Sequence, residues 1–123
     1  MKRLILPIFL FFPGVCLSRA AGPDFNSEVL PILSNNCFQC HGPDASQRKA
    51  GLRLDTEKGA FQNKDGVRPF VSGRPDESEV YRRITTDDPD SVMPPAESGR
   101  ILTGSEKTLI RRWIKQGAKW QKH

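Results

Sequence analysis

The chain has 123 residues, with 19 Lys and Arg against 14 Asp and Glu, three Cys and two His, for a formal charge of +5. That length fits one domain of ordinary size and excludes a large barrel or a doubly wound sheet. The positive balance suggests nucleic acid as a partner until its position along the chain is considered.

Residues 1–20 read as an export signal. Lys2 and Arg3 lead into an apolar run from Leu4 to Leu17, and Ser18-Arg19-Ala20 supplies small residues for cleavage. The run is shorter than the about 20 residues a membrane helix needs, so no stable membrane span is expected in the mature chain. Removing it takes away three basic and no acidic residues, which lowers the charge from +5 to +2. Nucleic acid then drops out as an expected partner. Cys16 leaves with the leader, and Val15 before it is not the small residue that a lipoprotein signal wants. The expectation is an exported domain over residues 21–123, in the periplasm or cell envelope. That segment keeps only 32 hydrophobic residues and nine glycines in 103 positions. This is under the typical apolar share of about 45–50%. A core this thin calls for a staple or a cofactor.

In chain order, Asp24 to Asn36 carries Phe25, Val29, Ile32 and Leu33 on one helical face. Asp24 or Asn26 can cap it, and Pro31 predicts a kink or a later start. Cys37 to Gly73 is dominated by turn residues, with Leu52-Arg53-Leu54 as a brief alternation. Asp55 is the expected cap of a short helix ending near Phe61. Pro75 suits the first turn of another, running through Glu79, Val80 and Tyr81 to about Ile84. Thr85 to Gly99 reads as a loop holding Pro89, Pro94 and Pro95. The last helix is the clearest: Thr103-Gly104-Ser105-Glu106 is a capping box, and Leu109, Ile110, Trp113 and Ile114 form one stripe. Gly117 ends it, with Arg111, Arg112 and Lys115 where the helix dipole favours cations. There is little convincing strand.

Cys37-Phe38-Gln39-Cys40-His41 is the C-x-x-C-H pattern of c-type haem attachment. Two thiols three positions apart can each add to one vinyl group of the same haem. The adjacent His41 is then held under the iron as proximal ligand. The exported compartment agrees, because such haems are attached outside the cytoplasm. The competing readings are a Cys37–Cys40 disulfide, a thiol-exchange pair and a zinc site. None of them explains the adjacent His together with the leader. For the sixth ligand, Met93 is the one Met besides the initiator, and Pro94-Pro95 stiffen the backbone after it. The alternatives are His123, a five-coordinate iron, or a Met93 that merely packs.

The chain resembles a class I c-type cytochrome, and in particular the cytochrome c domain of planctomycete proteins. The resemblance is carried by Val29-Leu30-Pro31-Ile32-Leu33, Cys37 to Asp44 (CFQCHGPD) and Gly51-Leu52-Arg53-Leu54-Asp55. It continues in Tyr81-Arg82-Arg83-Ile84-Thr85, Asp88-Pro89-Asp90, Met93-Pro94-Pro95 and Trp113-Ile114-Lys115-Gln116-Gly117-Ala118. It implies an all-α, small cytochrome c-like fold with N- and C-terminal helices packed around one covalently bound haem c. Cys37 and Cys40 would be the attachment points, with His41 and Met93 as iron ligands. Family members often carry this domain at the front of a longer polypeptide. Two expectations follow, a free-standing carrier or a remnant of a longer protein.

Phe38, Leu52, Leu54, Phe61, Phe70, Val80 and Trp113 are candidates for lining the haem. Arg53, Arg82 and Arg83 could pair with its propionates. Arg111, Arg112, Lys115 and Lys119 could steer an acidic redox partner. Asp87, Asp88 and Asp90 lack the spacing of a calcium loop and read as turn residues. No arrangement for hydrolysis or group transfer is visible, so the expected function is electron transfer without catalysis. The alternatives are a haem-based module for a small ligand and a haem-free remnant.

Overall fold

The computed structural model describes residues 9–10, 12–16 and 21–123. Most of the predicted leader therefore lies outside the described residues. The fold is helical, and among the described residues the only β-pairing is an isolated bridge between Lys64 and Val67. No described helix is long and apolar enough to cross a membrane.

The first helical segment opens with a widened π-type turn, Phe25–Val29, which runs without a break into α1, Leu30–Asn36. Asp24 is the cap, accepting from the Ser27 backbone N–H at 2.8 Å. Asn26 instead donates to the Lys122 carbonyl at 3.2 Å. Pro31 has no N–H to offer the carbonyl one turn back, and its ring crowds that position. The chain accommodates it by widening the preceding turn rather than breaking: Leu30 N–H reaches back to Phe25.

Two short helices follow, α2 (Phe38–His41) and α3 (Glu57–Ala60). The expected cap of α3 is corrected: Thr56, not Asp55, accepts from the Gly59 N–H. Asp55 is drawn away by Arg53, which grips it with two nitrogens at 3.0 and 2.5 Å. The helix expected to start at Pro75 is also split. Pro75–Glu77 forms a 3-10 turn, and α4 spans Glu79–Thr85. Between them Ser78 is fully buried. Its hydroxyl accepts from Val71 N–H at 2.8 Å and donates to the Arg74 carbonyl at 2.9 Å. A buried hydroxyl with both roles filled is stable, and here it fixes the entry to α4.

The last helix, α5, spans Gly104–Lys115 and has both halves of the capping box. Its end is a Schellman turn: Ala118 N–H bonds the Trp113 carbonyl at 2.9 Å, and Gly117 N–H bonds that of Ile114 at 3.0 Å. Gly117 has φ of +114°, a conformation that a side chain would strain. Ala118 is thereby buried, and the tail turns back to bring Trp120 within 4.2 Å of Phe25, centroid to centroid.

The core is the seam between the first helical segment and α5. Phe25, Val29, Ile32 and Leu33 meet Ile110, Trp113 and Ile114, all buried, with the Phe25 and Trp113 rings 5.6 Å apart. Burying each such aromatic contributes about 1.5–3 kcal/mol. Leu54, Ala60, Phe70, Ile84 and Leu102 extend this core into the middle of the chain.

Candidate functional site

Cys37 is both the end of α1 and the cap of α2. Its N–H bonds the Leu33 carbonyl at 2.8 Å, and its own carbonyl accepts from His41 N–H at 2.8 Å. The pentapeptide is thus a helical turn hung from the end of α1. This was not foreseen from the sequence, which reads as irregular from Cys37 onward. The returning loop then clamps it: Lys49 N–H bonds the Cys40 carbonyl at 2.8 Å, and Leu54 N–H bonds that of His41 at 2.7 Å.

Gly42 makes this clamp possible. A Cβ at this position would lie 2.1 Å from the Phe38 carbonyl oxygen, so only glycine lets the chain leave His41 in this direction. Arg48 reinforces the exit by donating to the carbonyls of Gly42 and Pro43 at 3.2 and 3.1 Å.

Cys37 and Cys40 are not joined to each other by a disulfide. Burial, with Cys40 close by, pushes the Cys37 thiol up to about 12. A thiol-exchange nucleophile needs the opposite shift, toward the thiolate. His41 is half-buried, and its Nδ1 is enclosed with no hydrogen-bond partner. Desolvation holds this imidazole below the usual histidine range, and the Arg83 guanidinium pushes the same way. The Lys49 and Leu52 backbone groups oppose that shift, but neither completes a hydrogen bond to Nδ1. A neutral imidazole is the form that donates a lone pair to a metal.

Met93 is half-buried on the loop after α4. Its N–H bonds the Arg83 carbonyl at 3.0 Å, while the Arg83 side chain donates to Glu79 at 2.7 Å and to the Ser91 carbonyl at 3.2 Å. Arg83 thus faces His41 electrostatically and holds the Met93 loop by its main chain. His123 lies instead beside Phe25 and Trp120, with centroid distances of 5.9 and 5.8 Å. Among the described residues no three His, Cys, Asp or Glu side chains converge, so a zinc site has no ligand set.

The three arginines considered for propionates are already engaged: Arg53 with Asp55, and both Arg82 and Arg83 with Glu79. The apolar candidates divide. Leu54, Phe70 and Trp113 are closed within the core, whereas Phe38, Leu52, Phe61 and Val80 sit half-buried at its edge. Asp88 behaves as a turn residue, accepting from Ser91 Oγ at 2.6 Å and Asp90 N–H at 3.0 Å.

Residues 37–97 match the family model described as planctomycete cytochrome C. The chain carries a planctomycete-type cytochrome c domain. The match begins at Cys37 and runs past Met93, so it holds all four residues predicted at the site. Its family points to haem-based electron transfer and to haem as cofactor. The first helical segment and α5 lie outside the matched stretch. No curated protein and no solved structure matches the chain.

Proposed function

We propose that this cytochrome c domain is a single-electron carrier of the cell envelope, without catalytic activity of its own. The observation that carries the reading is the C-x-x-C-H turn, folded as one helical unit with His41 turned inward and the returning loop clamped on it. Cys37 and Cys40 would hold the haem through thioethers, each thiol adding its sulfur and its proton across one vinyl group. His41 would ligate through Nε2, since Nδ1 faces the protein beside the Lys49 and Leu52 backbone. Met93 would complete the coordination, its loop anchored on Arg83.

When bound, the haem supplies a ferrous–ferric couple that takes one electron from a donor protein and gives it to an acceptor protein. The chain's own groups do the rest. Phe38, Leu52, Phe61 and Val80 offer the apolar edge against which a flat ring excludes water. Arg111, Arg112, Lys115 and Lys119 are exposed, and among the described residues none has a carboxylate partner, which suits the steering of an acidic redox partner. Export is supported by the leader-like residues 1–20, of which Phe9, Leu10, Phe12 and Val15 stand exposed.

The test is the intact mass of protein exported from a host with a c-type maturation system. One haem increment that survives denaturation is expected, and it disappears when Cys37 and Cys40 are both changed to Ala. A haem-free product with a Cys37–Cys40 disulfide overturns the proposal.

A further inference from the structure

Residues 88–93 form a turn braced from within. The Asp88 carboxylate accepts from Ser91 Oγ and Asp90 N–H, and its carbonyl accepts from the N–H groups of Ser91 and Val92. Met93 ends this turn, and among the described residues the turn is hydrogen-bonded to α4 through Arg83 alone. The Arg83 carbonyl lies in the last turn of α4, where a helix leaves such groups without partners, and Met93 N–H fills it at 3.0 Å. The Arg83 guanidinium adds the second tie, to the Ser91 carbonyl at 3.2 Å. A long arginine side chain loses rotamer freedom when it makes such a contact. Glu79, one helical turn earlier, orders it beforehand: its carboxylate accepts from Arg83 Nε at 2.7 Å, which leaves the planar fork aimed at Ser91. Glu79 is itself fixed, because its N–H bonds the Arg68 carbonyl at 3.0 Å. Arg82 pairs with the same carboxylate through two nitrogens, and it feels Asp88 only through space, without a bond to the turn.

We propose, on the reading of Met93 as the sixth ligand, that Glu79 positions Met93 through Arg83 and sets how readily an outside ligand takes its place. The turn is braced internally, so it leaves α4 as a unit when its two ties break. Neither tie involves the seam between the first helical segment and α5, so this opening is local and needs no global unfolding. An outside ligand binds only the opened form, and its apparent affinity follows the opened fraction. Glu79 touches neither the iron ligands nor the turn. Its effect passes entirely through the arginine it holds.

The test is a titration of the ferric, haem-loaded protein with imidazole at fixed pH, read as loss of the weak iron–sulfur band. Glu79→Gln is expected to raise the apparent imidazole affinity about two- to fivefold, the range for a partly exposed ion pair. Arg83→Lys keeps the charge but cannot hold two partners in one plane, and it should raise the affinity about tenfold. Arg82→Gln removes an ion pair from the same carboxylate and should change it by less than about twofold. Thr103→Ala lowers global stability at the distant cap of α5 and should leave it unchanged. Wild-type affinity in both Glu79→Gln and Arg83→Lys overturns the proposal. So does a rise in Arg82→Gln or Thr103→Ala as large as that in Glu79→Gln, since the effect would then belong to α4 or to the whole fold. A wild-type spectrum without the band is a different failure: it removes Met93 as the ligand and the proposal with it, whereas a band present with unmoved affinities overturns the role of Glu79 alone.

Discussion

The seam between the first helical segment and α5 and the stretch from Cys37 to Gly99 are held together by different physics. The seam is a conventional apolar interface, with Phe25, Val29 and Leu33 against Ile110, Trp113 and Ile114, all nearly or wholly excluded from solvent. The middle stretch has short helices and few buried side chains. It is shaped by main-chain hydrogen bonds that join distant positions: Lys49 to Cys40, Leu54 to His41, Phe70 to Ala60 and Met93 to Arg83. Stability is thus concentrated in one region and the candidate chemistry in the other. Altering the seam should cost folding energy, whereas altering the middle stretch should misplace a ligand.

The largest effect is expected at the seam. Trp113→Ala removes a side chain that touches Phe25, Phe61 and Phe70 and donates to the Lys119 carbonyl at 3.1 Å. A loss of about 3–5 kcal/mol is expected in denaturant unfolding, as for other buried aromatics. Gly42→Ala reverses the emphasis. Its Cβ collides with the Phe38 carbonyl, at a cost of about 1–3 kcal/mol. The sharper readout is at the site: the yield of covalent haem should fall further than in a seam variant of equal stability. Equal yields at matched stability would break the distinction between the regions.

Smaller effects sharpen it. Thr103→Ala removes the cap of α5 and should cost about 1 kcal/mol without changing the haem spectrum. Acid acts mainly on the middle stretch. Hydrogen bonds from Arg82, helped by Arg83, hold the Glu79 carboxyl below the usual range, and Arg53 does the same for Asp55. A carboxylate with a lowered folded pKa adds stability that is fully present above its unfolded value. That stability fades as pH falls through the folded one. Glu79→Gln should therefore cost a few tenths of a kcal/mol to about 1 at neutral pH, given its partial exposure. It should also flatten the loss of stability below about pH 4.3, the ordinary Glu value. Denaturant midpoints measured from pH 7 down to 3 check both.

How much of this is legible in the sequence follows the same division. For α5, the capping box, the Leu109–Ile114 stripe and Gly117 are all local signals, and each one is realised. The Asp24 cap and the face from Phe25 to Leu33 are local as well. Pro31 marks the right place but not the outcome, because widening a turn and breaking it look alike in sequence. The α2 turn is not legible. Four residues carry no period, and the bonds that hold them come from Leu33 on one side and from Lys49 and Leu54 on the other. The haem attachment proposed for Cys37, Cys40 and His41 is still suggested by the sequence, because that proposal rests on spacing alone. Arg83 shows the limit most clearly. Its sequence context offers a cation for a propionate, and only the fold shows it paired with Glu79 and holding the Met93 loop through Ser91 and its own carbonyl. Thr56 and Asp55 are equally good caps on paper, and the nearby Arg53 decides between them.

The most direct measurement is the visible spectrum of the exported protein, oxidised and reduced, compared with that of Met93→Ala. The wild type should show a low-spin haem with the weak iron–sulfur band, and the variant should lose that band while keeping its covalent colour. A wild-type spectrum that is high-spin, or low-spin without the band and unchanged in Met93→Ala, would contradict His41 and Met93 as the ligand pair.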